Sequence, residues 1–405
     1  MSENSVSSGI GRADWALADG VTYLNHGSFG PSPRVVQAVR EQWSQRLNSN
    51  PMDFYLRQFD GALEDAATRL GQWIGVDSRD LAFVDNATVA MNVVAESLPL
   101  EAGDEILLND HEYGAVFRIW RAACDRVGAR IVSPTLGRGD GDAEPRRFEQ
   151  PEDISGPILA AITPRTKLIV ISHITSPTAI IFPVEEVCRQ ARQLGIPVCI
   201  DGPHAIAMLK VNLRKIDCDF YCASLHKWLS APFGSGFLYV RRNWQSKLKP
   251  HLTSWGRSLG GSPPIWQDSL NWLGTRDPAP FLSVPGAIDF LERVGLETFR
   301  QQTHGLAQYA RQKLEPVLGQ SATIPDSPDW YGSMIAIPLP PDSSKKGRPN
   351  AIHPLQQALW DQHRMELLVT ECHGHRYLRV SCHLYNTASE IDRLCEAVKS
   401  LVVRA

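Results

Sequence analysis

The 405-residue sequence has no apolar run near the roughly 18 residues that a membrane-spanning helix needs. It also lacks a strong charge of one sign: the formal net charge is −3, so neither a nucleic acid nor a membrane surface is indicated as a partner. We find no internal repeat and no low-complexity tract. Hydrophobic residues at 43% and charged residues at 21% are ordinary for a globular protein with a sizeable core.

The sequence also gives no sign of export. Its N-terminal stretch MSENSVSSGIGRADWALADG has neither a basic segment nor an apolar segment, so a secretory signal is not predicted. The eight cysteines are scattered, and Cys199, Cys218 and Cys222 fall in apolar, strand-like runs. This distribution favours buried reduced thiols over a disulfide framework. We therefore expect a cytoplasmic protein.

Short apolar stretches alternate with amphipathic helical patterns through the first two thirds of the chain. Examples are DEILLND before AVFRIWRAACDRVG, and TKLIVISHI before VEEVCRQARQLG. Apolar strands without two-residue alternation are typical of a parallel sheet covered on both faces. We predict an α/β fold with a mostly parallel central sheet flanked by helices. The large domain is predicted over 26–275, and a smaller α+β domain over 1–25 and 276–405.

Lys227 in SLHKW follows one strand-like run, and Asp201 ends another in PVCID. An isolated buried ammonium is costly, so the lysine is expected to be paired or used chemically. Pyridoxal 5′-phosphate (PLP) needs this pair of groups: an amine that bonds its aldehyde, and an anion that keeps its ring nitrogen protonated. A buried ion pair is the plainer interpretation of either residue alone.

Other side chains at predicted strand ends suit the same cofactor. Thr88 lies in NAT at a strand-to-helix turn, where N–H groups and a hydroxyl suit a phosphate, although helix capping alone also explains the motif. Ser224 and His226 add donors beside the lysine. In HEYGA, either His111 or Tyr113 offers a flat ring to cover the cofactor, and Arg379 in RYLRVS suits a substrate carboxylate.

ECHGHR suggests a second kind of site, since Cys372, His373 and His375 are metal-ligand types. No second ligand pair follows at the usual spacing. We therefore interpret the segment as a polar loop and predict no metal.

Several motifs together resemble the aminotransferase class V family of fold-type I PLP-dependent enzymes. They are DGPHA, SLHK, GTRDP and LRVSCHLYNTASEIDRL, in the family order. YLNHGSFGPSP, NATVAMN, DHEYGA and ITSPTAIIFPV are most similar to isopenicillin N epimerase-like proteins, and cysteine desulfurases are a step further away. The resemblance covers nearly the whole chain from about Tyr23.

The resemblance implies a role for each matching residue. Lys227 would hold the cofactor covalently, Asp201 would contact the pyridine nitrogen, and His204 would lie near the phenolic oxygen or the imine. Tyr113 would stack on the ring, where desulfurases carry a histidine. Further residues implied in cofactor binding are Ala87, Thr88, Ser224, His226, Thr175 and Ser176, with Gly274 and Thr275 supplied by the partner of a homodimer. Arg379, Asn25 and His26 would bind the substrate.

Epimerisation or racemisation of an amino acid is the leading activity that the resemblance implies. It needs a second acid opposite Lys227, for which His26, His111 and Tyr113 are candidates. A carbon–sulfur β-lyase or desulfurase and a class V aminotransferase are the alternatives. Desulfurases accept sulfur on a mobile-loop cysteine, but Cys372 lies only seven residues before Arg379 and does not match that spacing.

Overall fold

The computed structural model describes residues 9–139, 144–256, 265–341 and 352–402. Strands within these ranges are β1 (Thr22–Tyr23), β2 (Leu81–Val84), β3 (Glu105–Leu107), β4 (Arg130–Val132), β5 (Thr166–Ser172), β6 (Val198–Asp201), β7 (Phe220–Ser224), β8 (Gly236–Val240), β9 (Met334–Pro338), β10 (Met365–Glu366), β11 (Leu368–Cys372) and β12 (His375–Ser381).

The helices cover both faces of the sheet and most of the C-terminal part. They are α1 (Arg34–Ser49), α2 (Pro51–Asp53), α3 (Phe59–Ile74), α4 (Ala87–Ser97), α5 (Gly114–Val127), α6 (Glu152–Ala160), α7 (Val184–Gln193), α8 (Leu213–Ile216), α9 (Arg242–Gln245), α10 (Asp268–Asn271), α11 (Ala279–Leu282), α12 (Val284–Val294), α13 (Leu296–Leu318), α14 (Pro354–His363) and α15 (Ala388–Val402). Of the described helices, none has the length and apolar character to cross a membrane.

The central sheet has seven strands in the order β2-β8-β7-β6-β5-β3-β4. Neighbouring strands from β7 through β4 pair in parallel, and β8 pairs antiparallel with both β2 and β7. Strands β6, β7 and β8 are buried along their whole length. The predicted mostly parallel sheet is confirmed.

Alternate residues of each central strand enter different cores, because successive side chains point to opposite faces. In β5, Leu168 and Val170 pack with α4 and α5, whereas Ile169 and Ile171 belong to the larger core on the other face. Burial on both faces explains why these strands show an unbroken apolar run.

The C-terminal part forms the predicted smaller α+β unit. Strands β11, β12 and β9 make an antiparallel sheet, and α13 and α15 pack together beside it. The N-terminal segment joins this unit: β1 pairs in parallel with β10, and the Ser381 N–H donates to the Leu24 carbonyl (2.8 Å). The exact domain boundaries stay predictions.

Candidate active site

Lys227 lies three residues beyond the end of β7, in the turn that leads to β8. Its Nζ is 3.0 Å from Nε2 of the buried His204, whose Nδ1 accepts the Trp228 indole N–H at 3.3 Å. An indole nitrogen only donates, so the neutral His204 ring carries its hydrogen on Nε2 and the lysine amine accepts it. That arrangement requires an uncharged amine. Burial, with a smaller contribution from the Arg379 charge, lowers the pKa of Lys227 to about 7, although Asp201 opposes the shift.

Asp201 ends β6 beside the lysine turn and is 8% exposed. Burial raises its pKa to about 6, and the Lys227 charge partly offsets this shift. Its carboxylate makes no hydrogen bond with any described residue. The backbone of β6 therefore fixes the position of the Asp201 carboxylate, whose oxygens are free to accept hydrogen bonds.

Glu112 lies behind Asp201 and was missed by the sequence interpretation. It accepts hydrogen bonds from the Ser172 N–H (2.7 Å) and hydroxyl (2.9 Å) and from the Asn109 amide. Burial and then the Asp201 charge raise the pKa of Glu112 to about 8. Its sequence position gave no clear signal, because Glu112 lies five residues beyond β3 and its burial depends on Ser172 from the neighbouring strand β5.

Arg379 is central in β12, and its side chain is 1% exposed. One Nη donates to the Ser176 carbonyl (2.8 Å) and hydroxyl (3.1 Å), and the other donates to the Ser28 hydroxyl (2.6 Å) and to Asn25 Oδ1 (3.4 Å). Nε has no partner, and no carboxylate of a described residue pairs with the guanidinium. Burial lowers the pKa of Arg379 to about 10, so it stays charged at neutral pH. A buried cation surrounded by neutral acceptors needs an anionic ligand.

A second set of donors lies where α4 begins. Ser224 Oγ accepts the Ala87 N–H at 3.0 Å, and the Asn86 side chain accepts the Val89 N–H at 3.1 Å. The Thr88 N–H has no partner among the described residues, and its side chain is exposed. Nδ1 of His226 is buried without a hydrogen bond. A helix N-terminus with an open N–H and an adjacent orphaned imidazole nitrogen suits a phosphate.

Gly236 lets these elements approach one another. A Cβ at this position would lie 2.6 Å from the Ala223 carbonyl oxygen and 2.9 Å from the Asn86 Cα. Any larger residue would push β8 away from the start of α4. The glycine thus fixes the phosphate donors relative to the lysine turn.

His26 lies behind the lysine backbone. Its Nε2 is 2.9 Å from the Lys227 carbonyl oxygen, and its Nδ1 is 2.9 Å from the Tyr385 hydroxyl. The ring stacks on His383 with centroids 3.8 Å apart. Burial lowers the pKa of His26 to about 3. Nε2 contacts the lysine turn and Nδ1 is occupied by Tyr385, so these contacts do not support the predicted place of His26 on the substrate side, which stays a prediction.

The loop between β5 and α7 supports Arg379. Thr175 is buried, its hydroxyl bonds to Thr178 (2.8 Å) and it accepts the Ile180 N–H (2.9 Å). Ser176 is engaged with Arg379. Their predicted contact with the cofactor stays a prediction; the visible contacts shape the loop that holds the guanidinium.

Tyr113, Gly274 and Thr275 are, with Thr88, the exposed members of the predicted set. Tyr113 precedes α5, and its hydroxyl has no described partner. Tyr113 raises the pKa of Arg379, against the larger lowering by burial. No described hydrogen bond joins Gly274 or Thr275 to the lysine site of the same chain.

The fold and this site define a fold-type I PLP-dependent enzyme. The chain belongs to the aminotransferase class V family, whose model, "Aminotransferase class-V", matches residues 23–394. The cofactor predicted from the sequence is confirmed.

Named relatives cover nearly the whole chain. Isopenicillin N epimerase of Streptomyces clavuligerus is 37% identical over 96% of this chain and 98% of its own length. The enzyme of the same name from Amycolatopsis lactamdurans is 36% identical over 96% and 97%. L-cysteine desulfhydrase of Arabidopsis thaliana is 27% identical over 95% and 88%.

Solved structures show the same fold. A lysine variant of C-DES with glycine linked covalently to its PLP cofactor superposes with a TM-score of 0.81, at 21% identity over 96% of this chain and 99% of that one. C-DES with cysteine persulfide, described as a cystine C–S lyase with its product, has a TM-score of 0.77, at 21% identity over 94% and 98%.

The residues present fit PLP on structural grounds. The Asp201 carboxylate is open where a pyridinium could donate, burial lowers the pKa of the Lys227 amine to about 7, and the Thr88 N–H and His226 Nδ1 lack partners among the described residues. When bound, PLP supplies an electron sink that stabilises negative charge at the α-carbon of an amino acid. The open groups are those that such a ligand would satisfy.

Proposed function

We propose that this protein is an amino-acid epimerase or racemase that inverts the configuration at an α-carbon. The observation that carries the proposal is the presence of two proton-transfer groups, the amine of Lys227, whose pKa is lowered to about 7, and the exposed Tyr113, whose hydroxyl has no partner among the described residues. The two isopenicillin N epimerases, 37% and 36% identical over nearly the full chain, support the same activity.

Each side chain has a definite task in this proposal. Arg379 binds the α-carboxylate of the amino acid, since its guanidinium is buried without an anion. Lys227 removes or returns the α-proton on one face, and His204 holds the amine through its Nε2 hydrogen. Asp201 keeps the ring nitrogen of the cofactor protonated.

Inversion requires a second acid on the opposite face, and the contacts favour Tyr113 over the two histidines. Both nitrogens of His26 are engaged, and Nδ1 of His111 is bound to Thr178 in a buried position (2.8 Å). Tyr113 is 50% exposed, and its hydroxyl has no partner among the described residues, so it is free to meet the substrate. We propose that Tyr113 protonates the α-carbon opposite Lys227.

A carbon–sulfur β-lyase is the second candidate. The Arabidopsis thaliana L-cysteine desulfhydrase, 27% identical over 95% of this chain, supports it. Elimination of a β-substituent needs Lys227 and the electron sink but no second acid. The outcome therefore depends on whether the α-carbon is protonated before a β-bond breaks.

Persulfide formation on Cys372 has little support. This thiol is 6% exposed and ends β11, and only His373 and Gly374 separate it from β12. A two-residue turn has no spare length to carry a sulfur atom from the lysine to an acceptor. A desulfurase that works through this cysteine is disfavoured.

We also propose a homodimer in which Thr275 reaches the neighbouring site. Exposed Trp255 packs edge-on against Trp272 (5.9 Å), which contacts Tyr55 (5.8 Å), and the adjacent Leu56 is exposed. This apolar surface adjoins Thr275 in sequence and suits burial between subunits. Sedimentation should give a dimer, and a monomeric active enzyme would contradict the proposal.

The deciding experiment follows the PLP-loaded protein by proton NMR in D2O with a panel of L-amino acids, including cysteine and S-conjugates. Loss of the α-proton signal together with appearance of the D-isomer on chiral analysis is expected. Pyruvate, ammonia and a released thiol without D-isomer would establish the lyase instead.

The variant Tyr113→Phe distinguishes the contribution of Tyr113 from that of Lys227. We expect this variant to exchange the α-proton through Lys227 but to form the D-isomer at least about 100-fold more slowly. Tyr309→Phe, which alters a tyrosine bound to Asp392 on the surface, is the matched control and should behave as wild type. Unchanged D-isomer formation by Tyr113→Phe would exclude the assigned role.

A further inference from the structure

A cluster of metal-ligand side chains lies outside the PLP site, between the loop that follows β3 and the turn of the β11–β12 hairpin. It consists of Asp110, His111, Cys372 and His373, and we call it the hairpin cluster. Each of His111, Cys372 and His373 offers one ligand atom, and these three atoms lie within 4.8 Å of one another. His375, which sequence spacing had grouped with Cys372 and His373, is not part of this cluster; His111, distant in sequence, is.

His111 is oriented by a hydrogen bond on its far side. It is 2% exposed, and its Nδ1 is 2.8 Å from the Thr178 hydroxyl. Its Nε2 is buried with no hydrogen-bond partner and lies 3.9 Å from Asp110 Oδ1. A ring fixed through Nδ1 that presents an unused Nε2 to other ligand types is the arrangement found around bound metals.

The hairpin turn brings the remaining ligands to this ring. His373 and Gly374 have φ values of 51° and 74°, as a two-residue turn of type I′ requires at both positions. His373 Nε2 reaches within 3.0 Å of Asp110 Oδ2, and Cys372 Sγ lies 3.8 Å from the Asp110 carbonyl oxygen. The carboxylate of Asp110 thus lies between the two imidazoles.

We propose that the hairpin cluster binds one Zn²⁺ through Asp110, His111, Cys372 and His373. Thiolate, imidazole and carboxylate are the ligands that zinc prefers, and four protein ligands make a closed, structural site. Tetrahedral zinc at usual bond lengths separates its ligand atoms by about 3.3–3.8 Å, so atoms that lie within 4.8 Å of one another need to approach by at most about 1.5 Å. Binding releases the Cys372 thiol proton to solvent.

The ion would join two segments that serve the PLP site. Asp110 and His111 immediately precede the segment of Tyr113, and the hairpin carries Arg379 in β12. Thr178 extends the link, because its hydroxyl also bonds to Thr175, next to the serine that holds Arg379. Zinc in this place would fix the distance between the substrate-carboxylate site and the tyrosine loop.

The test measures zinc retained by the full-length, PLP-loaded protein after dialysis at buffered free zinc. We expect about one ion per chain, and an affinity at least about 100-fold lower in Cys372→Ser and His373→Gln. His375→Gln, a neighbouring histidine outside the cluster, and Cys395→Ser, a distant cysteine, are the matched controls and should retain the ion.

Because PLP itself can bind zinc, cobalt substitution gives the deciding readout. Co²⁺ bound in the hairpin cluster of the wild-type protein should show a thiolate-to-metal charge-transfer band, which is absent from Cys372→Ser and present in Cys395→Ser. The wild-type spectrum remains informative even if the variants do not fold. Absence of the band, or zinc content unchanged in His373→Gln, would overturn the proposal and leave an Asp110–His373 ion pair. This result is independent of the reaction catalysed.

Discussion

The two ends of β7 carry the same kinds of charged side chain in opposite situations. Before its first residue, Asp217 and Asp219 face Arg192 and Arg241. Beyond its last residue, Lys227 and Asp201 influence each other's pKa without a described hydrogen bond between them, and Arg379 has only neutral partners among the described residues. One end of β7 thus adjoins a closed ionic network, and the other adjoins a site whose charged side chains lack an ion-pair partner among the described residues.

At the first end, every charge has an opposite partner. Asp219 accepts the Val198 N–H (3.0 Å) and lies 3.3 Å from Arg241 and 3.4 Å from Arg192. Although burial lowers the pKa of Arg241, its hydrogen bond with Asp217 and the nearby carboxylates outweigh that effect and raise it. This network stabilises the fold without a ligand.

At the other end of β7, burial is the largest cause of the pKa shifts. It lowers the pKa of Arg379 to about 10 because no carboxylate compensates, and it lowers that of Lys227 to about 7. Perturbed groups in a cleft with open hydrogen-bonding positions indicate function rather than stability. The absence of an ion-pair partner among the described residues, more than the presence of a charge, therefore distinguishes the lysine site from the network at the other end of β7.

The largest effect should follow loss of the lysine. Lys227→Ala removes both the covalent link to PLP and the amine that transfers the α-proton, so turnover should fall by at least about 1,000-fold. The measurement is D-isomer formation together with the absorbance of bound PLP. Lys215→Ala, at an exposed position, is the control. Substantial turnover in Lys227→Ala would remove the basis for calling this end of β7 the site.

The next largest effect concerns Arg379. Arg379→Met should lower kcat/KM by about 100-fold or more, mainly through KM, because the substrate carboxylate loses a buried, charge-assisted partner. Arg376→Met is the control in the same strand, since this side chain contacts His353 (3.2 Å). An unchanged KM for Arg379→Met would place the carboxylate elsewhere.

A stability measurement sharpens the contrast between the two arginines. Arg241→Met should lower the free energy of unfolding by about 2 kcal/mol or more, because it removes a partner of the buried Asp219. Arg379→Met should change it by less than about 1 kcal/mol in the PLP-free protein, since no buried anion loses its counterion. Urea unfolding of both variants gives the comparison. Equal losses would mean that Arg379 also stabilises the fold.

The sequence predicted the mostly parallel sheet and placed Lys227 and Asp201 at strand ends, where the structure has them, whereas their roles stay predictions. Lys227 and Asp201 each follow an unbroken apolar run, and parallel strands bring their carboxyl ends to one edge. The ring of His26 and the carboxylate of Glu112 were not predictable in the same way. Their orientation depends on which buried neighbours, Tyr385 or Ser172, the fold brings within reach.

The smallest predicted effect is a displaced pH midpoint. PLP bonds only the neutral form of Lys227, so the rate at which PLP-free protein recovers its covalent link should rise with pH and reach half its maximum near pH 7. An ordinary lysine would give a midpoint above pH 10. Asp201→Asn removes the opposing charge that raises the pKa of Lys227, so its midpoint should move lower. The rates are followed by PLP absorbance after rapid mixing. A midpoint that moved upward in Asp201→Asn would mean that the negative charge of Asp201 does not raise the pKa of this amine.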